Sequence, residues 1–214
     1  MKPLPKISGI NTLCRLADSG RDFVDWYEFA RRDIEYVCGS EIWCPRRFSA
    51  VLSITSPRVA VARNVRTAFR YMSSGRCFAN TMSGTVESLA RFELTGQVSP
   101  TAQKVSAFFL AITGDSESIV LDVWIAKALR VSQAKFKNRT LAKCVDRMRA
   151  AAEFYGLTPR DYQACVWAGT IRSVGRNPPQ FGILAEYKNW IAHGRDYPES
   201  GSIPVLTEGV CHAS

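Results

Sequence analysis

Apolar residues in this chain recur at intervals of three and four, and that spacing commits nearly all of it to helices. In residues 22–37, DFVDWYEFARRDIEYV, the side chains of Phe23, Trp26, Phe29, Ile34 and Val37 fall near one helical face. The punctuation agrees. Pro45 opens RRFSAVLSI and Pro57 opens RVAVARNVRTAFRYM, because a proline at the first helical position gives up no hydrogen bond. Ser99-Pro100 opens TAQKVSAFFLAI, with Ser99 as the expected N-cap and Gly114 as its end. Residues 115–121 read as a connector finishing in an extended Ile119-Val120-Leu121, after which Asp122 caps VWIAKAL. A basic amphipathic helix over 141–155 is stopped by Gly156, and Thr158-Pro159 starts another that Gly175 stops. A last helix over 183–192 precedes a Pro/Gly/Ser-rich tail. No internal repeat and no convincing alternating strand pattern competes, so the expected fold class is all-α.

The composition, 46% hydrophobic and 22% charged over 214 residues, supplies a sizeable core and excludes a disordered chain. No apolar run approaches the roughly 18 residues of a membrane helix. The opening MKPLPKISGINTLCRLADSG has no secretory apolar stretch, so a cytoplasmic location is expected and no membrane partner. Cys14, Cys38, Cys44, Cys77, Cys144, Cys165 and Cys211 are odd in number and none is in C-x-x-C spacing. That argues against a disulfide framework, a zinc ribbon and an iron–sulfur cluster, and for reduced, mostly buried thiols. His193 and His212 are the only histidines, so neither a metal nor a cofactor is expected.

The net charge of +9 is unevenly placed. Residues 41–80 hold seven arginines against Glu41, a net of +6, and residues 121–160 hold nine Lys/Arg against Asp122, Asp146 and Glu153, again +6. Two basic blocks on one chain point to a polyanion, DNA foremost and RNA as the alternative. A solvated basic face with no partner has the same statistics.

Four pieces, in order, resemble the helix-hairpin-helix DNA glycosylase superfamily that includes endonuclease III and the 8-oxoguanine glycosylases. Ala50–Ser56, AVLSITS, is similar to the helix whose L-S-x-Q-x turn carries a wedge residue, with Thr55 at the Gln position. Lys104-Val105-Ser106-Ala107 is similar to K-T-A-x, and Leu121–Ile125, LDVWI, to V-D-T-H-V. The eighteen positions between Lys104 and Asp122 equal the endonuclease III spacing. Tyr162–Gly169 looks like the late helix with a small-residue turn. The resemblance covers roughly residues 40–180. It divides the chain into an N-terminal helical extension (1–40), a glycosylase-like domain (41–180) and a C-terminal helix with an irregular tail (181–214). Two departures stand out. The hairpin stretch Val98–Gln103 has no glycine, so the hairpin is degenerate, and the four-cysteine cluster loop is missing.

What the resemblance implies is a two-lobed helical domain that flips a damaged or modified base out of a duplex and excises it. Such a compact, cluster-free form suits a prokaryote or a phage. Flipping places the base in a pocket. Breaking the bond to C1′ builds positive charge on the sugar, which a carboxylate stabilises; Asp122 is the candidate. A lysine amine can attack C1′ and form a Schiff base, which adds lyase activity; Lys104 is the candidate. Thr55, Arg58, Arg63, Ser99, Thr101 and Gln103 are the candidate DNA contacts, with Arg66, Arg70, Lys135, Lys137 and Arg139 as further cations. Trp124 is a candidate base-pocket residue. Each has a plainer reading: Asp122 as a helix cap, Lys104 as an exposed helix lysine, Trp124 as core, the cations as solvated charge. A nucleic-acid-binding module without catalysis is the competing function.

Overall fold

The structure is a computed structural model, and it describes residues 7–132, 138–180, 182–195 and 202–204. The fold is all-α. Ten helices are α1 (Ile10–Ser19), α2 (Trp26–Glu41), α3 (Pro45–Thr55), α4 (Val61–Ser74), α5 (Ser83–Thr95), α6 (Gln103–Ile112), α7 (Val123–Ala128), α8 (Asn138–Tyr155), α9 (Pro159–Arg172) and α10 (Ile183–Ala192) among the described residues. A short 3-10 turn spans Arg21–Phe23. Two three-residue strands, β1 (Arg76–Phe78) and β2 (Ser202–Pro204), pair antiparallel with Cys77 opposite Ile203. Among the described residues no helix is long and apolar enough to cross a membrane.

The chain forms two compact units, residues 1–31 with 110–180 and residues 32–109 with 181–214. The sequence division after 180 recurs as a boundary between the units, whereas the boundaries after 31 and 109 fall elsewhere, because packing rather than sequence proximity groups the helices. In the first unit, α1 lies on α9, and Leu13 and Ala17 are fully buried with Ile125, Leu129, Cys144, Met148 and Tyr162. Glycines permit that approach. A Cβ on Gly169 would sit 1.8 Å from the Leu16 carbonyl oxygen, and one on Gly20 would sit 2.1 Å from that of Cys165. No side chain larger than hydrogen fits at either crossing.

The second unit is organised on aromatic rings. Phe69 lies 5.5 Å from both Phe48 and Trp190, and Trp43 lies 5.5 Å from Trp190. Trp190, on the helix that resembled nothing, is 1% exposed and so belongs to the core. Gly75 and Gly96 end α4 and α5 in the left-handed conformation, φ 67° and 66°, which glycine adopts without steric cost. The free thiols divide as burial dictates. Cys38, Cys77, Cys144 and Cys165 are buried, Cys14 is half-buried and Cys44 is exposed, while Cys211 lies outside the described residues. Burial pushes the Cys38 thiol up to about 12.

Candidate active site

Asp122 is set by the connector that precedes it. Asp115 folds that connector by accepting from the Glu117 amide (2.9 Å) and the Ser118 hydroxyl (2.7 Å). Ile119, Val120 and Leu121 are buried and anchor its end. Asp122 then adopts an extended backbone, φ −98° and ψ −172°, the geometry of an N-cap. Its Oδ1 accepts from the amides of Trp124 and Ile125, each at 2.9 Å. Its Oδ2 accepts from the indole Nε1 of Trp167 at 3.0 Å. A capping role needs only the first of these oxygens. The second is held by a side chain from α9, so the carboxylate is fixed in direction as well as in place.

Aromatic rings surround Trp167. Trp26 lies 5.7 Å away and Phe23 6.3 Å away, and Tyr27 meets Trp26 edge-on at 4.9 Å. The buried Tyr27 hydroxyl donates to Oε1 of the equally buried Gln163 at 2.8 Å. Burial, reinforced by the negative charge of Asp122, holds the Tyr27 phenol well above its ordinary range and so keeps it neutral. Gln163 and Trp167 are four residues apart on α9 and therefore share a face. That spacing was the available signal for both, and the sequence reading did not use it. Trp124 is half-buried, with the Lys127 ammonium 5.8 Å from its ring centroid.

Lys104 lies in the first turn of its helix. Residues 99–102 form a turn, closed by the Ala102 amide donating to the Ser99 carbonyl at 3.2 Å. The Ser99 hydroxyl meets the Thr101 hydroxyl at 2.9 Å, so Ser99 does not cap α6, which begins at Gln103. Lys104 is thus half-buried in the first turn, next to the exposed Gln103. It lies in the second unit and Asp122 in the first. Among the described residues no cluster of three His, Cys, Asp or Glu is arranged to hold a metal.

The candidate DNA contacts separate into buried and exposed. Thr55 is 3% exposed; its hydroxyl bonds to the Val51 carbonyl (2.9 Å) and to Oδ1 of Asn64 (2.6 Å). A wedge must enter the duplex stack, so Thr55 is corrected from a DNA contact to an internal tie between α3 and α4. Pro57 does not open α4. It forms a turn with exposed Arg58, φ 60°, and α4 starts at Val61. Arg63 bonds to Asn80 and lies 5.9 Å from the Phe78 ring. Arg70 lies 4.6 Å from the same ring, and Arg66 pairs with Glu186 at 3.8 Å. Arg47 pairs with Glu93 at 2.9 Å, and Arg46 lies 5.1 Å from the Phe109 ring. Most of the first basic block therefore ties the second unit together. Ser99 and Thr101 line a groove of ≈ 780 Å³ in that unit.

The second block is used differently. Arg139, Lys143 and Arg147 follow one another at four-residue steps along α8, the first two exposed and Arg147 half-buried beside Cys144. Among the described residues these three, Arg130 and Arg149 have no ion-pair partner; Lys135 and Lys137 lie outside the described residues.

The matched family agrees with this anatomy in its extent, running from α1 to just past the end of α9. The chain belongs to the family of unknown function DUF7178, matched over residues 17–173. No curated protein and no solved structure matches the chain significantly. The family match takes in Asp122, Trp167, Tyr27 and Lys104 but ends before α10, although Trp190 on that helix completes the aromatic core.

Proposed function

We propose that the protein is a DNA glycosylase, with Asp122 as the carboxylate that faces C1′ of a flipped nucleotide. One observation carries this reading: three donors, two of them amides of α7 and one the indole of Trp167, fix a half-buried carboxylate beside aromatic rings. Such a carboxylate needs no reorganisation as positive charge develops on the sugar, which is the condition for a large electrostatic effect. Lys104 is the proposed nucleophile. Its amine forms the bond to C1′ as the base leaves with the electron pair of the old bond, and opening of the sugar gives a Schiff base. The open cations of α8 supply grip on the phosphates.

The second reading is a nucleic-acid-binding module without catalysis. It is favoured by the turn at residues 99–102, where no residue has the left-handed conformation that a glycine hairpin uses to bring amides to a phosphate. Borohydride trapping on duplexes that carry modified bases separates the two. The glycosylase reading expects a covalent adduct that Lys104→Gln abolishes with DNA binding retained. It expects Asp122→Asn to slow base release by about a hundredfold or more. It expects little loss of stability, since Asn caps a helix as well as Asp. Neither release nor trapping across a broad panel of bases makes the binding module the better description.

A further inference from the structure

The groove in the second unit contains neither candidate catalytic residue, and its lining describes a ligand. Its wall includes the start of α5. The residue before that helix, Met82, provides no side-chain cap, so the first-turn amides of Ser83 and Gly84 are left for an outside acceptor. A second observation points the same way. Thr85 lines the groove, is 6% exposed, and its hydroxyl has no hydrogen-bond partner among the described residues. The residue is buried but lines the groove, so this hydroxyl is available to a ligand beside the unsatisfied amides at the positive end of the helix. Two turns along α5, Arg91 lines the same groove and has no ion-pair partner among the described residues.

Among polar Gln97, Ser99 and Thr101 the lining also carries apolar Ile54, Pro57, Met82 and Val105, and Met82 keeps 39% of its surface exposed. Glu87 adds an acceptor of the kind that an exocyclic amino group meets. One end that suits an anion, an apolar stretch and an edge that accepts from an amino group together match a phosphate, a flat ring and the ring's polar edge. The volume, ≈ 780 Å³, is in the range of small-ligand sites, roughly 300–1,000 Å³.

We propose that this groove seats one nucleotide of a single DNA strand, its phosphate at the start of α5 and its base against Ile54, Met82 and Val105. The choice of ligand rests on the nucleic-acid reading above. The lining, by contrast, does not depend on catalysis at Asp122. The basic chain favours a strand over a free nucleotide, because neighbouring phosphates add to the attraction.

The test is fluorescence anisotropy of a labelled short oligodeoxycytidylate with the full chain at low salt, with melting recorded for every variant. Ser83→Pro removes one amide and one hydroxyl. The helix accepts it, since this is the first helical position and Met82, at φ −59° and ψ 138°, already has the extended backbone a following proline requires. Thr85→Val keeps shape and deletes the unpartnered hydroxyl. Each is expected to weaken binding about tenfold, as loss of a hydrogen bond to a charged group does. The melting temperature should hold in Thr85→Val. Affinities within about twofold of the parent for both groove variants overturn the proposal, as does binding of the matching RNA in place of DNA. If no modified base is ever released but Thr85→Val still weakens the strand, the glycosylase reading fails and the groove stands.

Discussion

The two basic blocks carry the same net charge and do different work. In residues 41–80, arginines from α3 and α4 stack on Phe78 and Phe109 or pair with Glu93 and Glu186. In residues 121–160, the cations of α8 have no ion-pair partner among the described residues, and Arg139, Lys143 and Arg149 are exposed. The units also close differently. The first brings α1 and α9 together on glycines, whereas the second is laced by guanidinium groups over rings. In the first unit Arg172 pairs with Asp22 and Arg21 lies over the Tyr155 ring, but the cations of α8 are left for solvent or a partner. Where arginine provides the ties, charge is consumed by the fold. A net charge counted along a sequence therefore overstates the surface that a polyanion meets.

The largest expected effect tests the open block. Replacing Arg139, Lys143, Arg147 and Arg149 together by Gln should lower DNA affinity at low salt by about a thousandfold, or roughly 4 kcal/mol. It should flatten the slope of log K against log salt by about 3–4, with the melting temperature nearly unchanged. An unchanged slope would move the polyanion surface elsewhere.

Next is the glycine crossing. Gly169→Ala drives a methyl group into the Leu16 carbonyl, which backbone movement alone can relieve. A loss of about 3 kcal/mol is expected by chemical denaturation. A loss under about 1 kcal/mol would show that α1 is not held against α9 in this way.

Smaller effects are expected from the spent block. Among the described residues Arg47→Ala leaves Glu93 with the Tyr71 hydroxyl, 3.0 Å away, and should cost about 1 kcal/mol while DNA affinity stays within about twofold. A large loss of affinity with intact stability would reverse the assignment of that block.

The smallest effect is a pH dependence. Arg172 donates two hydrogen bonds to Asp22, at 2.6 and 2.7 Å, and these hold the Asp22 carboxyl below its ordinary 3.8. A carboxyl lowered in the folded state stabilises above its unfolded value, and that contribution is lost as pH falls through the folded value. The pair is exposed, so only a few tenths of a kcal/mol should disappear below about pH 4. Asp22→Asn should remove that part of the acid sensitivity, read from melting curves at pH 3 and pH 6.

Local signals carried much of the secondary structure. Thr158-Pro159, Gly114, Gly156 and Gly175 mark helix ends as expected, because capping and left-handed turns depend on a few neighbouring residues. Asp122 was legible as a cap for the same reason, and the helical period alone established the all-α class. Two local cues misled. Pro57 and Ser99-Pro100 suggested helix starts, but both became turns: at the first, the helix begins only after left-handed Arg58; at the second, the Ser99 hydroxyl is taken by Thr101. Tertiary packing alone decided that Thr55 is buried, that the arginines of α4 face rings and carboxylates, and that Trp167 reaches Asp122 from forty-five positions away in sequence. It also decided that Trp190 belongs to the core. The period of a helix tells which residues share a face, but what that face meets depends on which other helix packs against it. That partner comes from distant sequence, so no local pattern of charge or spacing specifies it.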